Sequence, residues 1–562
     1  MILGGVVRRV CIRVVILVAA AGMVEAHAEA YWVFLDHKTD ANGHRARWVS
    51  PTNDASLDLP VSGSIARQLQ EFGTLRTRSR WLNAISLDLP PNQDPDALSQ
   101  LPFVTAILPV RAARRPTPPS VARAARPAAP HQEYGPSFEQ LNLMGVPLLH
   151  ARGLRGQGVR IAIMDTGFNW PDYRAFAHLT VVAERDFIND DDDVTDEVNA
   201  PVSGDEIAIQ QAGHGTRILG LLAGNDPGQL IGVAPEAEYL LAKVEDLARE
   251  LPIEEDRWIA GIEWADSLGA DVASVSLGYT DFDDGTGYVY GDLDGRTTLT
   301  AQAAQIAVSR GMVVVVSAGN EGNKLWHYIT TPADAQDVIA VGAVHVQSAA
   351  IASFSSRGPS ADGRIKPDIV APGQFVYSVD GARATVPGTF AAEQYVRFNG
   401  TSASAPLAAG VAALVLQAAP TLTPLQVNER MRSTAMDLGP VGPDTIFGYG
   451  LVQAPAAAGL GSEIPDQDRA LHPYPNPARG EDLVVYFPFL LTTSDQVSLS
   501  VFDGAGQLVA ELTPQSWPAG SHLSAGQALA WPVPNRLATG MYHYRLRADA
   551  FQVTGSVALI RD

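Results

Sequence analysis

The sequence predicts an α/β fold in which a parallel sheet is covered by helices on both faces. Almost entirely apolar segments of strand length recur along the middle of the chain, at residues 159–164, 239–244, 272–277, 313–318 and 338–344. Helical segments, such as 258–268 and 298–309, lie between them. Because strands that are buried on both faces show no polar alternation, this succession indicates a sheet in the interior of an α/β domain.

Length and composition set the broad class of protein. The chain has 562 residues, of which 46% are hydrophobic, so several domains with substantial cores are expected. Its 61 acidic and 40 basic residues give a formal charge of −21, which argues against a general nucleic-acid-binding protein.

The N-terminus has the pattern of a secretory signal, which we place at residues 1–28. Three arginines precede an apolar run at residues 14–24, and small residues follow at 26–28. The run is short for a membrane-spanning helix. Cys11, the only cysteine, lies inside this segment, so the mature protein is expected to carry no disulfide.

Residues 29–110 form a small α+β pattern. Strands are predicted at 31–35, 81–89 and 104–110, and helices at 62–72 and 95–101. This order is compatible with a ferredoxin-like sandwich. Residues 111–133 follow as a linker rich in proline, alanine and arginine, which is expected to be exposed and easily cut.

The α/β region is placed at residues 134–460, and a second linker at 461–474 separates it from an all-strand region at 475–562. Strands in this last region are predicted at 483–489, 497–502, 507–512 and 541–547. Their spacing, with turns such as residues 503–506, is typical of a small immunoglobulin-like β-sandwich.

Three polar residues stand at the ends of predicted elements in the α/β region. Asp165 ends a buried strand, and His214 directly precedes an apolar helix. Ser402 stands at the N-terminus of a predicted buried helix, whose apolar run covers residues 407–418. Unpaired N–H groups and the helix dipole at such an N-terminus favour the negative charge that an acyl-transfer transition state develops. Pro406 removes one hydrogen bond from the first turn of this helix.

A fourth residue, Asn320, follows another buried strand in the segment 317–320 and offers a side-chain amide for an oxyanion hole. The chain order Asp, His, Ser is that of subtilisin. Together with the motifs at 242–244, 276–278, 353–359 and 366–373, these residues resemble the subtilisin-like serine protease family over about residues 134–460.

The resemblance implies a serine endopeptidase with a subtilisin-like parallel sheet and a triad of Asp165, His214 and Ser402, with Asn320 in the oxyanion hole. Such an enzyme is expected to need no cofactor for catalysis and to act on proteins or peptides. Residues 29–110 correspond to the family's inhibitory propeptide, so the enzyme is expected to be made as a zymogen that is inhibited within its own chain. The chain departs from the family at three positions. Arg217 and Ile218 stand where the family usually has His and Val, and Leu407 stands where it often has His.

The resemblance also implies a first specificity pocket. Its walls are the residues Ser276, Leu277, Gly278, Ala318 and Gly319, and Thr330 is expected near its floor. Since none of these residues is charged, a preference for medium or large apolar side chains is expected. Asp334 is the nearest carboxylate along the chain from Thr330.

An acidic loop lies between Asp165 and His214. It covers residues 189–197, and Asp191 and Asp193 are its candidate ligands for a structural calcium ion. The alternative is a solvated acidic loop without a metal. The sequence leaves both interpretations open.

The C-terminal region resembles the sorting domains of the type IX secretion system and the related FlgD-like domains, through the segments 474–477, 501–506 and 537–542. This implies export from a bacterium, extracellular or cell-surface location, and the outer-membrane secretion machinery as a partner. A stabilising or carbohydrate-binding sandwich is the alternative.

Other functions are less compatible with these residues. An aspartic protease requires two carboxylates, and the sequence contains only one Asp-Thr-Gly, at Asp165. A lipase would place its serine in Gly-x-Ser-x-Gly, which the surroundings of Ser402 do not match. A catalytically silent, protease-shaped binding or adhesion protein is the remaining alternative, although the chain retains all four catalytic residue types.

Overall fold

The structure is a computed structural model that describes residues 29–39, 45–47, 55–91, 93–110, 122–123, 133–196, 211–247, 253–280, 287–381, 395–460, 469–470, 473, 478–479, 483–518, 520–522, 528–549 and 551–561. The predicted signal segment and most of both predicted linkers lie outside these residues.

The N-terminal unit is an antiparallel sheet with helices against one face. Its elements are β1 (Glu29–Leu35), β2 (His37–Thr39), β3 (Arg45–Arg47), α1 (Gly63–Leu69), β4 (Thr74–Ser79), β5 (Ala84–Leu89), α2 (Asp96–Ser99) and β6 (Val104–Pro109). The main sheet has the order β4-β5-β1-β6, which is the ferredoxin-like arrangement predicted from the sequence. Strand β4 was not predicted, because its alternating Thr and Arg residues carry little apolar signal.

The α/β unit follows a two-residue strand, β7 (Ala122–Arg123). Its strands are β8 (Arg160–Asp165), β9 (Thr180–Asp186), β10 (Asn225–Asp226), β11 (Leu230–Ile231), β12 (Glu238–Lys243), β13 (Val272–Val275), β14 (Val313–Ser317), β15 (Ile339–His345), β16 (Ile369–Gln374), β17 (Val376–Val379) and β18 (Tyr395–Phe398). Its helices are α3 (Phe138–Leu143), α4 (Val146–His150), α5 (Gly213–Ala223), α6 (Ile253–Ser267), α7 (Leu299–Ser309), α8 (Thr401–Ala418), α9 (Pro424–Ser433) and α10 (Ala454–Ala457).

Seven of these strands form one parallel sheet, in the order β16-β15-β14-β13-β8-β12-β9. The predicted parallel sheet is therefore confirmed, and β16 and β9 extend it. Strand β8 lies between β13 and β12, so the strand order reverses there. In open α/β sheets, binding sites form beyond the carboxyl ends of the strands at such a reversal. Asp165, the last residue of β8, is at this position.

Helix α8 is the core helix of the α/β unit. Within the described residues it is the one helix long and apolar enough to cross a membrane by composition. However, every residue from Thr401 to Val415 is buried, and the helix packs against α5 and against strands β13 to β16. Its apolar character is therefore explained by the interior of the protein.

The C-terminal unit is all strand within the part of the chain that is described. Its strands are β19 (Arg469–Ala470), β20 (Ala478–Arg479), β21 (Val484–Phe487), β22 (Phe489–Leu491), β23 (Asp495–Phe502), β24 (Leu508–Trp517), β25 (Gly520–His522), β26 (Leu529–Pro532), β27 (Gly540–Arg547) and β28 (Gln552–Ile560). A five-stranded sheet in the order β20-β28-β27-β23-β24 packs its buried face against smaller sheets around Phe487, Trp531 and Tyr544.

The N-terminal unit docks on the α/β unit through the face of its sheet that α1 does not cover. Trp32 and Trp81 are buried there, in one apolar cluster with Trp258 and Ile262 of α6. Burying large aromatic side chains supplies the main favourable term of such a contact. The docking surface lies on the helical layer of the α/β unit.

Candidate active site

A carboxylate and an imidazole are paired at the carboxyl edge of the parallel sheet. Asp165 is fully buried, and its Oδ1 accepts a hydrogen bond from His214 Nδ1 at 2.7 Å and from the Thr166 backbone N–H at 2.8 Å. Because Nδ1 is held by Asp165, the other ring nitrogen, Nε2, is left to act as a base. His214 lies inside the first turn of α5, whereas the sequence placed it just before the helix.

Close packing of backbone holds this pair together. A Cβ added to Gly215 would lie 2.2 Å from the Gly167 carbonyl oxygen and 3.1 Å from Asp165 Oδ1. The side chain of Thr166 accepts a hydrogen bond from Gly215 N–H at 3.2 Å. Only glycine at position 215 lets α5 approach the end of β8 closely enough for the imidazole to reach the carboxylate.

Ser402 lies in the first turn of α8, and its backbone is held by an unusual contact. Pro406 has no N–H, so the Ser402 carbonyl lacks the helix bond that residue 406 would normally provide. The Ser276 hydroxyl donates to that carbonyl instead, at 2.8 Å. Ser276 comes directly after β13, so this bond fixes the start of α8 to the carboxyl edge of the sheet.

The side chain of Asn320 is oriented by Thr401, the residue before Ser402. Its Oδ1 accepts from the Thr401 N–H at 2.9 Å and from the Thr401 hydroxyl at 3.1 Å. With the carbonyl end held by two donors, the Asn320 NH₂ group is directed away from Thr401 and is available to donate to another acceptor. Thr401 also accepts from Gly319 N–H at 3.2 Å. The orienting role of Thr401 was missed by the sequence analysis.

The four candidate catalytic residues thus lie on neighbouring elements: β8, α5, the end of β14 and α8. Helix α5 packs directly against α8. Within the described residues, Ser402 Oγ donates no hydrogen bond to His214. Hydrogen bonds between a nucleophile and its base are often loose before substrate binds. The arrangement offers an oriented base, a hydroxyl at a helix N-terminus and an amide donor, which is the set that acyl transfer requires.

Arg217, which departs from the family's pattern, has a structural role one turn after His214. Its Nε donates to the Asp380 carbonyl at 2.8 Å, and its own carbonyl accepts from the Ser378 hydroxyl at 2.8 Å. Burial lowers the pKa of its guanidinium, while the nearby negative charges of Asp380 and Asp165 oppose that shift. Arg217 therefore ties α5 to β17 and to the residue that follows it.

The residues expected to form the specificity pocket are also brought together beside Ser402. The segments after β13 and β14 leave the sheet side by side, and Ser317 Oγ donates to the Leu277 carbonyl at 3.3 Å. Thr330 lies between them. Asp334 does not point into this space, because its Oδ2 accepts from Gly295 N–H at 2.8 Å; burial raises its pKa to about 6.

The acidic loop does not bring its carboxylates together. Asp190 and Asp192 both pair with Arg185, whereas Asp191 and Asp193 accept from backbone N–H groups two residues further along the chain. Over the residues that the structure describes, no group of three or more His, Cys, Asp or Glu side chains is placed to hold a metal ion. The loop continues beyond the described residues at Glu197, and the structural calcium ion expected at Asp191 and Asp193 stays a prediction.

Asp196, at the end of the described part of this loop, has a different role. Its Oδ1 accepts from Ala212 N–H at 2.7 Å, and its Oδ2 accepts from the Asn169 amide at 2.7 Å. Ala212 is the residue that precedes α5. The loop is therefore fastened to the start of the helix that carries His214.

Comparison with known proteins identifies relatives of the α/β unit. A family model described as the subtilase family matches residues 156–450. Subtilisin DY of Bacillus licheniformis is 34% identical over 323 residues, which cover 56% of this chain and 97% of the relative. Subtilisin E of Bacillus subtilis (strain 168) is 34% identical over 346 residues, covering 60% of this chain and 76% of the relative.

A solved structure shares the fold over most of the chain. Fervidolysin from Fervidobacterium pennivorans, described as a keratinolytic enzyme related to subtilisin, matches 95% of this chain and 78% of its own, with a TM-score of 0.56 and 20% identity. At that identity the likeness supports the fold alone.

Proposed function

This chain belongs to the subtilase family and is a subtilisin-like serine endopeptidase, and on that basis we propose that Asp165, His214 and Ser402 are its catalytic triad. The observation that carries the proposal is the buried hydrogen bond between Asp165 and His214 Nδ1, at the sheet edge where α8 begins with Ser402. Casein hydrolysis by the wild-type and Ser402→Ala proteins tests it.

The mechanism follows from these positions. Ser402 Oγ attacks the carbonyl carbon of the substrate peptide bond while His214 Nε2 takes its proton. The buried Asp165 carboxylate keeps the imidazole oriented and stabilises the cation that forms. The Asn320 NH₂ group and the Ser402 backbone N–H donate to the oxyanion.

The tetrahedral intermediate then collapses. His214 returns its proton to the leaving amine, the C–N bond breaks and an acyl-enzyme remains on Ser402. Water attacks this ester by the same route, with His214 again accepting a proton, and the acid product is released.

We propose further that residues 29–110 act as an inhibitory propeptide and that the enzyme is made as a zymogen. The unit is docked on the helical layer of the α/β unit, chiefly on α6, through the apolar cluster described above. Val110, where the described part of the unit ends, packs against the same cluster, to which Leu277 of the pocket wall belongs. The end of the described part of the unit therefore lies at its docked face.

Two buried carboxylates of α6 hold the docked unit. Glu263 accepts from the Ser79 hydroxyl and from the backbone N–H groups of Arg80 and Trp81, in the turn between β4 and β5. Asp256 accepts from the Ser86 hydroxyl at 2.6 Å and pairs with Arg76 at 3.0 Å. Burial raises the pKa of Glu263 to about 7 and that of Asp256 to about 6, against the lowering effect of these donors.

These shifts predict a pH dependence of release. Both pKa values are raised by burial in the docked state, and we propose that the docked unit supplies much of that burial, so that the docked state binds protons more tightly than the free α/β unit. Docking is therefore strongest below the free pKa values and weakens as pH rises towards 7, by at most about tenfold per pH unit for each group. The protein used is cleaved between the N-terminal unit and the α/β unit, with the two still bound to each other. It is incubated at pH 5 to 8 and then assayed at a single pH. Activity is expected to appear faster after incubation at the higher pH values.

The matched pair of variants for this experiment is Glu263→Gln and Glu236→Gln. A glutamine side chain at position 263 cannot lose a proton, so part of the pH dependence disappears. Glu236 is an exposed residue that pairs with Arg155, and its substitution leaves the dependence in place. Equal rates of release at pH 5 and pH 7.5 in the wild-type protein would contradict the role of Glu263.

We propose that residues 1–28 are removed on export and that the mature enzyme acts outside the cell. The segment 474–477, which carried part of the resemblance to type IX sorting domains, lies outside the described residues. A sorting role that engages the outer-membrane secretion machinery stays a prediction, with a stabilising or carbohydrate-binding sandwich as the alternative.

A further inference from the structure

The space that receives the substrate side chain lies between two segments of the catalytic unit. Strands β13 and β14 are paired in parallel up to Val275 and Val316, so the residues that follow them run side by side. Ser276 donates to the Ser402 carbonyl, and Gly319 donates to the Thr401 hydroxyl. The gap between the two segments therefore opens next to the nucleophile.

A third segment lies across both walls of this gap. Thr330 N–H donates to the Ala318 carbonyl at 3.1 Å, and Thr331 exchanges two backbone hydrogen bonds with Tyr279, at 2.9 and 3.2 Å. One wall is thus bonded to Thr330 and the other to the next residue. The backbone of Thr330 has no freedom to withdraw from the gap.

The side chain of Thr330 contacts both walls. A Cβ added to Gly278 would lie 2.1 Å from Thr330 Oγ1 and 3.0 Å from Thr330 Cβ. A Cβ added to Gly319 would lie 2.7 Å from Thr330 Cγ2. The two glycines have no side chains, and the space this leaves is already occupied by the hydroxyl and methyl groups of Thr330. Thr330 is fully buried, and its Oγ1 has no hydrogen-bond partner within the described residues.

We propose that Thr330 closes the pocket and restricts the enzyme to substrates with a small side chain, such as alanine, serine or glycine, at the residue whose carbonyl is attacked. This inference rests on the proposed function of Ser402. An aromatic ring needs a van der Waals separation of about 3.5 Å from each wall. The Thr330 side chain lies between the two walls and contacts both, and backbone hydrogen bonds to both walls keep it from moving aside for a ring.

This preference for small substrate side chains differs from the preference for medium or large apolar side chains that the sequence led us to expect. That expectation followed from the absence of charged residues in the pocket walls, and among the residues that it describes the structure places no charged side chain there either. The depth of the pocket is decided by Thr330, which the sequence placed near the floor without showing how far its side chain reaches. Specificity is therefore set by size rather than by polarity.

The test uses peptide p-nitroanilides that differ only in the residue before the anilide: alanine, leucine or phenylalanine. The enzyme is the self-processed full-length protein, with its active sites titrated by diisopropyl fluorophosphate. Wild-type protein is expected to favour alanine over phenylalanine in kcat/KM by about 100-fold, within the range that steric discrimination in a pocket provides. In Thr330→Gly the alanine-to-phenylalanine ratio falls by at least about tenfold.

Thr330→Val is the matched control, because it keeps the shape of the side chain and removes only the hydroxyl. If the size of the side chain at position 330 decides specificity, Thr330→Val keeps the wild-type ratio of kcat/KM for the alanine and phenylalanine substrates. A wild-type enzyme that titrates normally and cleaves the phenylalanine substrate as well as the alanine substrate overturns the inference. An enzyme that neither titrates nor cleaves any substrate overturns the proposed function on which the inference rests. If Thr330→Gly does not fold, the ratio of kcat/KM for the alanine and phenylalanine substrates in the wild-type protein is sufficient to test the inference.

Discussion

Replacing Ser402 by alanine is expected to abolish peptide hydrolysis while the fold stays intact. The substitution removes only the hydroxyl that attacks the substrate. The loss in kcat is expected to be about 10⁶-fold, the magnitude known for removal of the nucleophile of subtilisin. The Ser402 carbonyl, which accepts from Ser276, and the Thr401 contacts with Asn320 involve backbone or neighbouring atoms and remain.

Casein hydrolysis and circular dichroism measure the two parts of this prediction. Ser404→Ala is the matched control, because it removes a buried hydroxyl from the same turn of α8. That hydroxyl donates to the Ala371 carbonyl at 3.2 Å and takes no part in the proposed chemistry. A Ser402→Ala protein that digests casein as fast as the Ser404→Ala protein would refute the assignment of the nucleophile.

Asp165→Asn is expected to have the second largest effect, a fall in kcat of about 10⁴-fold with little change in KM. The amide has nearly the shape of the carboxylate, and its oxygen can still accept from Thr166 N–H. It carries no negative charge to stabilise the imidazolium of His214. Its NH₂ group also competes as a donor to Nδ1, which would place the ring proton on Nε2 and block the base.

Steady-state kinetics on the alanine p-nitroanilide separate kcat from KM, and a thermal melt shows whether the variant is folded. The substrate contacts of the walls and of Asn320 do not involve Asp165, so KM is expected to stay close to that of the wild type. A large rise in KM with an unchanged kcat would place Asp165 in substrate binding instead.

The sequence was sufficient to predict the elements that carry a strong apolar signal. The strands that begin at Val272 and Val313 were predicted correctly because both faces of each are buried, so they contain almost no polar residues. Strands β4, β26 and β28 were missed. Strand β4 alternates Thr with Arg, and its exposure varies along its length, so no periodic signal marks it.

Contacts between residues far apart in the chain account for most of what the sequence could not predict. Ser276 replaces the helix bond that Pro406 removes, although 126 positions separate Ser276 from Ser402. The sequence shows that Pro406 leaves the Ser402 carbonyl without its helix bond, but it does not show which residue donates to that carbonyl instead. The position of Thr330 between two glycines likewise depends on how three segments converge, which local patterns do not encode.

The central claim is that Ser402 is a nucleophile activated by His214 and Asp165, and covalent labelling tests it most directly. Diisopropyl fluorophosphate reacts when a serine oxygen attacks phosphorus and fluoride leaves, without any requirement for substrate specificity. We expect the processed wild-type protein to gain one diisopropylphosphoryl group, located on Ser402 by peptide mass mapping, and Asp165→Asn to react far more slowly. A folded, processed protein that is not labelled, or is labelled equally at other serines, would contradict the account and favour a catalytically silent binding protein.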